Sequence, residues 1–116
     1  MSNCNKELID VLNTMDEYIN YGEECLKNSI LNEEFKEGMN VFIEAFVMVE
    51  KVIETHSDKL KEITEKEKNK LALGLELSVE KINKEQDYNL ENFLKEVVEP
   101  FVNWRNVILN NIELSN

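Results

Sequence analysis

Over most of its length this chain repeats apolar residues at alternating intervals of three and four, and very little interrupts the repeat. Leu8, Val11, Met15, Tyr18, Gly22 and Cys25 follow it. So do Phe35, Met39, Phe42, Phe46, Val49, Ile53 and His56, and later Leu90, Leu94, Val97, Phe101, Trp104, Ile108 and Ile112. Side chains at that spacing share one face of an α-helix. Only three glycines and one proline occur in 116 residues. So few breakers exclude a turn-rich β architecture and favour long helices.

Four helical segments are predicted. The first runs from about Lys6 to Lys27, with Asn5 as its N-cap and Leu12, Ile19 and Leu26 widening the apolar face. Asn28-Ser29 reads as a break. The second starts after Asn32, with Glu33 and Glu34 at the positive end of the helix dipole. Val41, Ile43, Ala45, Met48 and Val52 add to its stripe, leaving a polar strip at Glu33, Glu37, Asn40, Glu44 and Lys51. A helix this apolar must be covered on two or more sides, so it is expected at the centre. The third spans about Asp58 to Gln86. Its first half offers only Leu60 and Ile63 to a core and should be the most exposed part of the chain.

The second half of that segment, Leu71-Ala72-Leu73-Gly74-Leu75-Glu76-Leu77-Ser78-Val79, alternates with period two, which is a strand signal. Leucine and alanine are helix formers, however, and no partner strand exists, so helix is the reading. The fourth segment follows Asp87-Tyr88-Asn89, where Asp87 or Asn89 can cap it. Pro100 lacks the N–H that a helix needs, so a kink is expected near 96–100. The alternative is two short helices with Pro100 in the first turn of the second. Short breaks make neighbours antiparallel. The expectation is one all-α domain over 1–116, an up-down-up-down four-helix bundle with its last helix kinked at Pro100.

The net charge is −11, from 24 acidic and 13 basic residues. That balance repels the phosphates of nucleic acid and anionic lipid surfaces, and it permits a basic protein partner. No apolar run approaches the roughly 20 residues that span a bilayer. The polar start, Met1 to Glu7, has no signal-peptide core, so a cytoplasmic location is expected. Cys4 and Cys25 fall at the two ends of the first helix, about 30 Å apart at 1.5 Å per residue. That distance forbids a disulfide, so both should be free thiols, with Cys25 a small core residue.

Catalytic constellations are scarce. The single histidine, His56, has Ile53 three residues before it, so no Glu-x-x-His metal pair exists. Its place near the end of the second helix suits dipole capping. Glu33-Glu34-Phe35-Lys36-Glu37 has a Glu-Glu-x-x-Glu pattern, which resembles half of the magnesium site of all-α nucleotide pyrophosphohydrolases. The answering Glu-x-x-Asp is missing, since Glu54 and Asp58 are four apart. Gly22, Gly38 and Gly74 stand singly inside helical patterns and mark either close helix approach or local irregularity. Met15, Met39, Met48, the five phenylalanines and Trp104 read as core. The expected outcome is no catalytic residue, no metal and no cofactor.

The informative oddity is Leu73 with Leu77. The inward face of the third helix is set by Leu71, Leu75, Ser78, Val79 and Ile82, and Leu73 and Leu77 point away from it. Val102 and Leu109 similarly flank the main stripe of the fourth. Off-core apolar residues either broaden burial or form a surface for another chain, and Leu73 and Leu77 are the candidate protein interface, most simply of a two-fold homodimer.

The stretch 87–104, in which Leu90, Phe93, Leu94 and Val97-Val98 run into Glu99-Pro100 and then Trp104, resembles the last helix of small, uncharacterised helical proteins of low-GC Gram-positive bacteria. That resemblance implies a bundle and no particular activity. The acidic four-helix plan is also similar in architecture to flagellar export chaperones, and a chaperone or inhibitor that holds a basic client on its acidic surface is the second reading.

Overall fold

The structure is a computed structural model that describes residues 3–84 and 86–112, with side chains from Asn5 onward. The periodic segments form α1 (Asn3–Lys27), α2 (Glu33–His56), α3 (Asp58–Asn83), α4 (Leu90–Phe93) and α5 (Glu99–Asn111), with a π turn (Leu94–Val98) between the last two. Phe93, Leu94, Val98 and Glu99 all keep right-handed helical angles. So α4, the π turn and α5 run on as one fourth helix. No strand occurs among the described residues.

Cross-helix partners set the topology. Gly22 lies against Phe35 and Phe93, and Gly38 against Tyr18. Glu50 and Glu54 pair with Lys68 and Lys61 at 3.7 and 3.9 Å, and Asp16 pairs with Arg105. In each pair of neighbours one number rises as the other falls, so the neighbours are antiparallel. The result is an up-down-up-down bundle of 43 × 22 × 18 Å, whose long axis is about the length of one 26-residue helix at 1.5 Å per residue.

Local chemistry ends each helix where it does. Ser29 takes a positive φ of 58°, and the Ile30 N–H donates back to the Cys25 carbonyl at 2.8 Å, which closes α1. The Asn32 side chain accepts from the Phe35 N–H at 2.9 Å and opens α2. Ser57 alone makes the next corner. Its N–H donates to the Ile53 carbonyl at 2.9 Å, and its hydroxyl accepts from the Leu60 N–H at 3.1 Å. Asn89 and Asn92 cap each other reciprocally at 3.1 Å in front of the fourth helix.

The core runs the length of the bundle and is aromatic along the α2–α5 diagonal. Phe42 meets Phe101 edge-on at 5.3 Å between ring centres, and Phe46 meets Trp104 at 5.0 Å. Edge-to-face pairs contribute about 0.5–1.5 kcal/mol each beyond the area they bury. Cys25 is a free, buried thiol. The Cys4 thiol lies outside the described side chains.

Several sequence expectations are corrected. Asn5 is not the N-cap of α1. The helix begins at Asn3, and Asn5 sits buried on the inner side one turn before Leu8. Helix α3 stops at Asn83, not Gln86. In its first half Ile63 is exposed, and Thr64 takes the core position because its hydroxyl donates to the Leu60 carbonyl at 2.9 Å and needs no water. Helix α2 is less enclosed than expected. Val41 and Met48 are exposed, whereas Ile43, Ala45 and Val52 are half-buried. His56, expected at the end of the apolar stripe, is exposed. Leu94 is exposed too, because the wide π turn carries the inner face from Phe93 to Val97.

Pro100 explains that turn. It cannot donate to the carbonyl of Glu96, four residues back. The chain absorbs the missing bond by widening, with the Glu99 N–H donating to the Leu94 carbonyl, five residues back. The carbonyl of Glu96 meets Gly74 of α3 instead: a Cβ on Gly74 would lie 1.8 Å from that oxygen. Gly22 is similarly confined, since its Cβ would lie 2.7 Å from the ring of Phe93. Gly38 is different, with only ordinary contact to Tyr18 at 3.6 Å.

Alanine substitutions should therefore separate the three glycines in urea unfolding. Gly74→Ala should destabilise by about 3 kcal/mol or more, because backbone must move. Gly22→Ala should cost about 1–3 kcal/mol. Gly38→Ala should stabilise by up to about 1 kcal/mol, through helix propensity alone.

Candidate functional site

The period-two run in α3 resolves into two faces of one helix. Residues two apart on a helix point in nearly opposite directions, and residues four apart point the same way. Leu71 and Leu75 accordingly face the core, and Leu73 and Leu77 face out. Leu73 is 57% exposed, the most of any large apolar side chain among the described residues, and Leu77 is 41% exposed. Along the same outer line the chain reads Lys66, Lys70, Leu73, Leu77, Glu80, Lys84, again at spacings of four and three. Val102 is half-buried and Leu109 exposed on the fourth helix.

The inner side of this segment is held firmly. Beside Gly74, the Ser78 hydroxyl donates to Glu96 Oε1 at 3.0 Å, and Lys81 Nζ donates to Glu96 Oε2. The Tyr88 hydroxyl, from the link between α3 and α4, donates to Ser78 Oγ at 3.0 Å. Burial pushes the Tyr88 hydroxyl up to about 12, the bond to Ser78 opposes that shift, and the Glu96 carboxylate adds to it. These four side chains fix the rotation of α3 about its axis. The outward direction of Leu73 and Leu77 follows.

The glutamates of the Glu-Glu-x-x-Glu pattern are not brought together. Glu33 pairs with Lys36 at 3.5 Å and lines a recess between α2 and α3. Glu34 and Glu37 turn the other way. With Glu17, Thr14, Tyr18, Tyr21 and Val41 they line an open groove of about 450 Å³ between α1 and α2. The Tyr21 hydroxyl at its edge, beside the Cys25 thiol and the Glu34 carboxylate, is pushed up to about 12. Among the described residues no group of three or more His, Cys, Asp or Glu side chains is placed to hold a metal ion.

Charge is unevenly shared. Helices α1 and α2 each carry six acidic residues and two lysines, whereas α3 carries six of each sign. The outward leucines therefore lie on a helix with no net charge, in a chain of charge −11.

Sequence reasoning located Leu73 and Leu77 but missed the Tyr88–Ser78–Glu96–Lys81 cluster. Its bonded partners are 10 to 18 residues apart, so only the packed fold joins them. It also missed Glu17, although Glu17, Tyr18 and Tyr21 sit together on one flank of α1.

Taken together, fold and surface define an all-α four-helix bundle with an apolar pair exposed on its one neutral long helix. No family model matches the chain, and neither the curated proteins nor the solved structures include a match.

The buried hydroxyl makes a pH test. An unfolded tyrosine loses its proton near pH 10.0, and folded Tyr88 keeps it to about 12. Between those values the unfolded state has released the proton and the folded state has not, so rising pH favours unfolding. The stabilisation is whole below pH 10.0 and lost as pH rises through about 12. Wild type should lose about 2 kcal/mol more than Tyr88→Phe over that window in urea unfolding, since lysine titration is common to both.

Proposed function

We propose that this chain is a non-enzymatic protein that acts by binding another protein through the outer face of α3, with itself as the first candidate partner. The observation that carries the reading is the exposure of Leu73 and Leu77, one turn apart, on a helix held rigidly from behind. Single exposed apolar residues are ordinary, and two leucines one turn apart on a helix of no net charge supply apolar area that a partner would bury. No helix among the described residues is long and apolar enough to cross a membrane, which fits action on a protein in the cytoplasm.

Sedimentation of wild type against a Leu73→Glu, Leu77→Glu double variant tests the reading. Wild type should gain mass with concentration, and the variant should stay at 13.6 kDa. Both leucines are outside the core, so folding stability should change by no more than about 0.5 kcal/mol. A wild type that stays monomeric at every concentration would remove self-binding.

A second reading, a chaperone or inhibitor of a basic client, is favoured by the groove between α1 and α2. Its three glutamates form no ion pair among the described residues, and Tyr18 and Tyr21, side chains of the kind that attract cations, line the same groove. A labelled lysine- and leucine-rich helical peptide should bind more weakly to the Glu17→Gln, Glu34→Gln, Glu37→Gln variant, by about tenfold. The same charge removed at Glu7, Asp10 and Glu44, outside the groove, should have a much smaller effect. Equal losses in the two variants would reduce the groove to diffuse attraction.

A further inference from the structure

The outer face of α3 carries more than two leucines, and its charges have an order. On the N-terminal side of the pair stand Lys66 and Lys70, Glu76 lies between the two leucines, and on the C-terminal side stand Glu80 and Lys84. We propose that the partner of this face is the α3 of a second copy, laid antiparallel about a two-fold axis that passes between Leu73 and Leu77. This rests on the reading of Leu73 and Leu77 as a contact and adds to it a partner, a direction and a register.

The geometry follows from the spacing. The line Lys66, Lys70, Leu73, Leu77, Glu80, Lys84 alternates four and three, which is the seam that two long helices share when they cross at a shallow angle. A two-fold axis makes each contact occur twice. With the axis between the leucines, Leu73 of one copy meets Leu77 of the other, and Lys70 meets Glu80. A parallel arrangement would set Lys70 on Lys70 and Glu80 on Glu80, so the charge order selects the antiparallel one. At the rim Lys66 comes opposite Lys84, and Glu62 lies one turn from Lys84. Those side chains are long and solvated, so the rim adds little of either sign.

Two features of the molecule favour this face over any other for a second copy. Copies carrying −11 each repel, and α1 and α2 hold most of that charge, so they are the worst surfaces to bring together. Helix α3 carries no net charge, and it is the helix on which Leu73 and Leu77 are exposed. The side chains needed are also accessible: Lys70 and Glu80 are more than half exposed, Lys70 lying 3.9 Å from Glu67 and Glu80 accepting a hydrogen bond from Lys84 at 2.8 Å, and exposed pairs of this kind contribute little. The contact is small, so the dimer belongs to the weak, concentration-dependent class.

Charge reversal tests the register. Lys70→Glu leaves a chain with two acids at the paired positions, and Glu80→Lys leaves one with two lysines. Each alone should raise the dimer dissociation constant at least about tenfold, because like charges then face each other twice. An equimolar mixture of the two should associate as a heterodimer to within about threefold of wild type, because both cross-pairs are restored. Sedimentation over the micromolar to low-millimolar range, with circular dichroism to confirm helix content, reads all of these. A wild-type dimer that the leucine double variant breaks, but whose single charge variants behave as wild type, would overturn the register and leave the contact standing. So would single variants that dissociate and do not recover on mixing. A wild type with no tendency to associate would overturn both.

Discussion

The contact on which most of this bundle depends is the approach of α3 to a carbonyl that a proline has left without its helical donor. Pro100 deprives Glu96 of an N–H partner, the fourth helix widens into a π turn, and Gly74 lies directly against the freed oxygen. No residue but glycine leaves room there. Once α3 is seated at that point, its rotation is no longer free. Ser78 and Lys81 fall on the Glu96 carboxylate, Tyr88 closes over Ser78, and the four leucines just before them divide into an inner pair, Leu71 and Leu75, and an outer pair, Leu73 and Leu77. An irregularity in one helix thereby decides what another presents to solvent.

The helices themselves were legible in the sequence because a buried stripe must recur with the period of the backbone. Phe35, Met39, Phe42, Phe46, Val49 and Ile53 are all buried as that rule requires. What misled was the neglect of side chains that satisfy themselves. Thr64 bonds to its own helix and takes a core position that apolar spacing assigns to Ile63. Asn5 looked like a cap and is an inner residue. The form of the break at Pro100 was open, because whether a helix kinks, splits or widens depends on what packs against it. Leu73 and Leu77 were visible because an apolar residue off the stripe needs no partner to be noticed. The polar cluster behind them was invisible because its four members meet only when α3 and the fourth helix are side by side.

The distribution of charge gives the bundle two unlike sides. Helices α1 and α2 concentrate acid around a tyrosine-walled groove, and α3 balances its charges while exposing its leucines. Opposite requirements can coexist on one small domain because the two surfaces lie on different helices, separated by a bundle about 20 Å across. A surface that repels copies of itself and one that tolerates them do not compete.

Ser57 has a consequence of its own. It is the only residue between α2 and α3, and it turns the chain by taking an extended conformation with φ −158° and ψ 104°. A corner of one residue has no slack. If Ser57 adopted helical angles, α2 and α3 would join into a single rod, and the bundle could close only by borrowing the missing half from a neighbouring molecule. The connection that makes this hairpin tight is thus also where arm exchange between molecules would begin, and the hydrogen bonds at Ser57 guard against it.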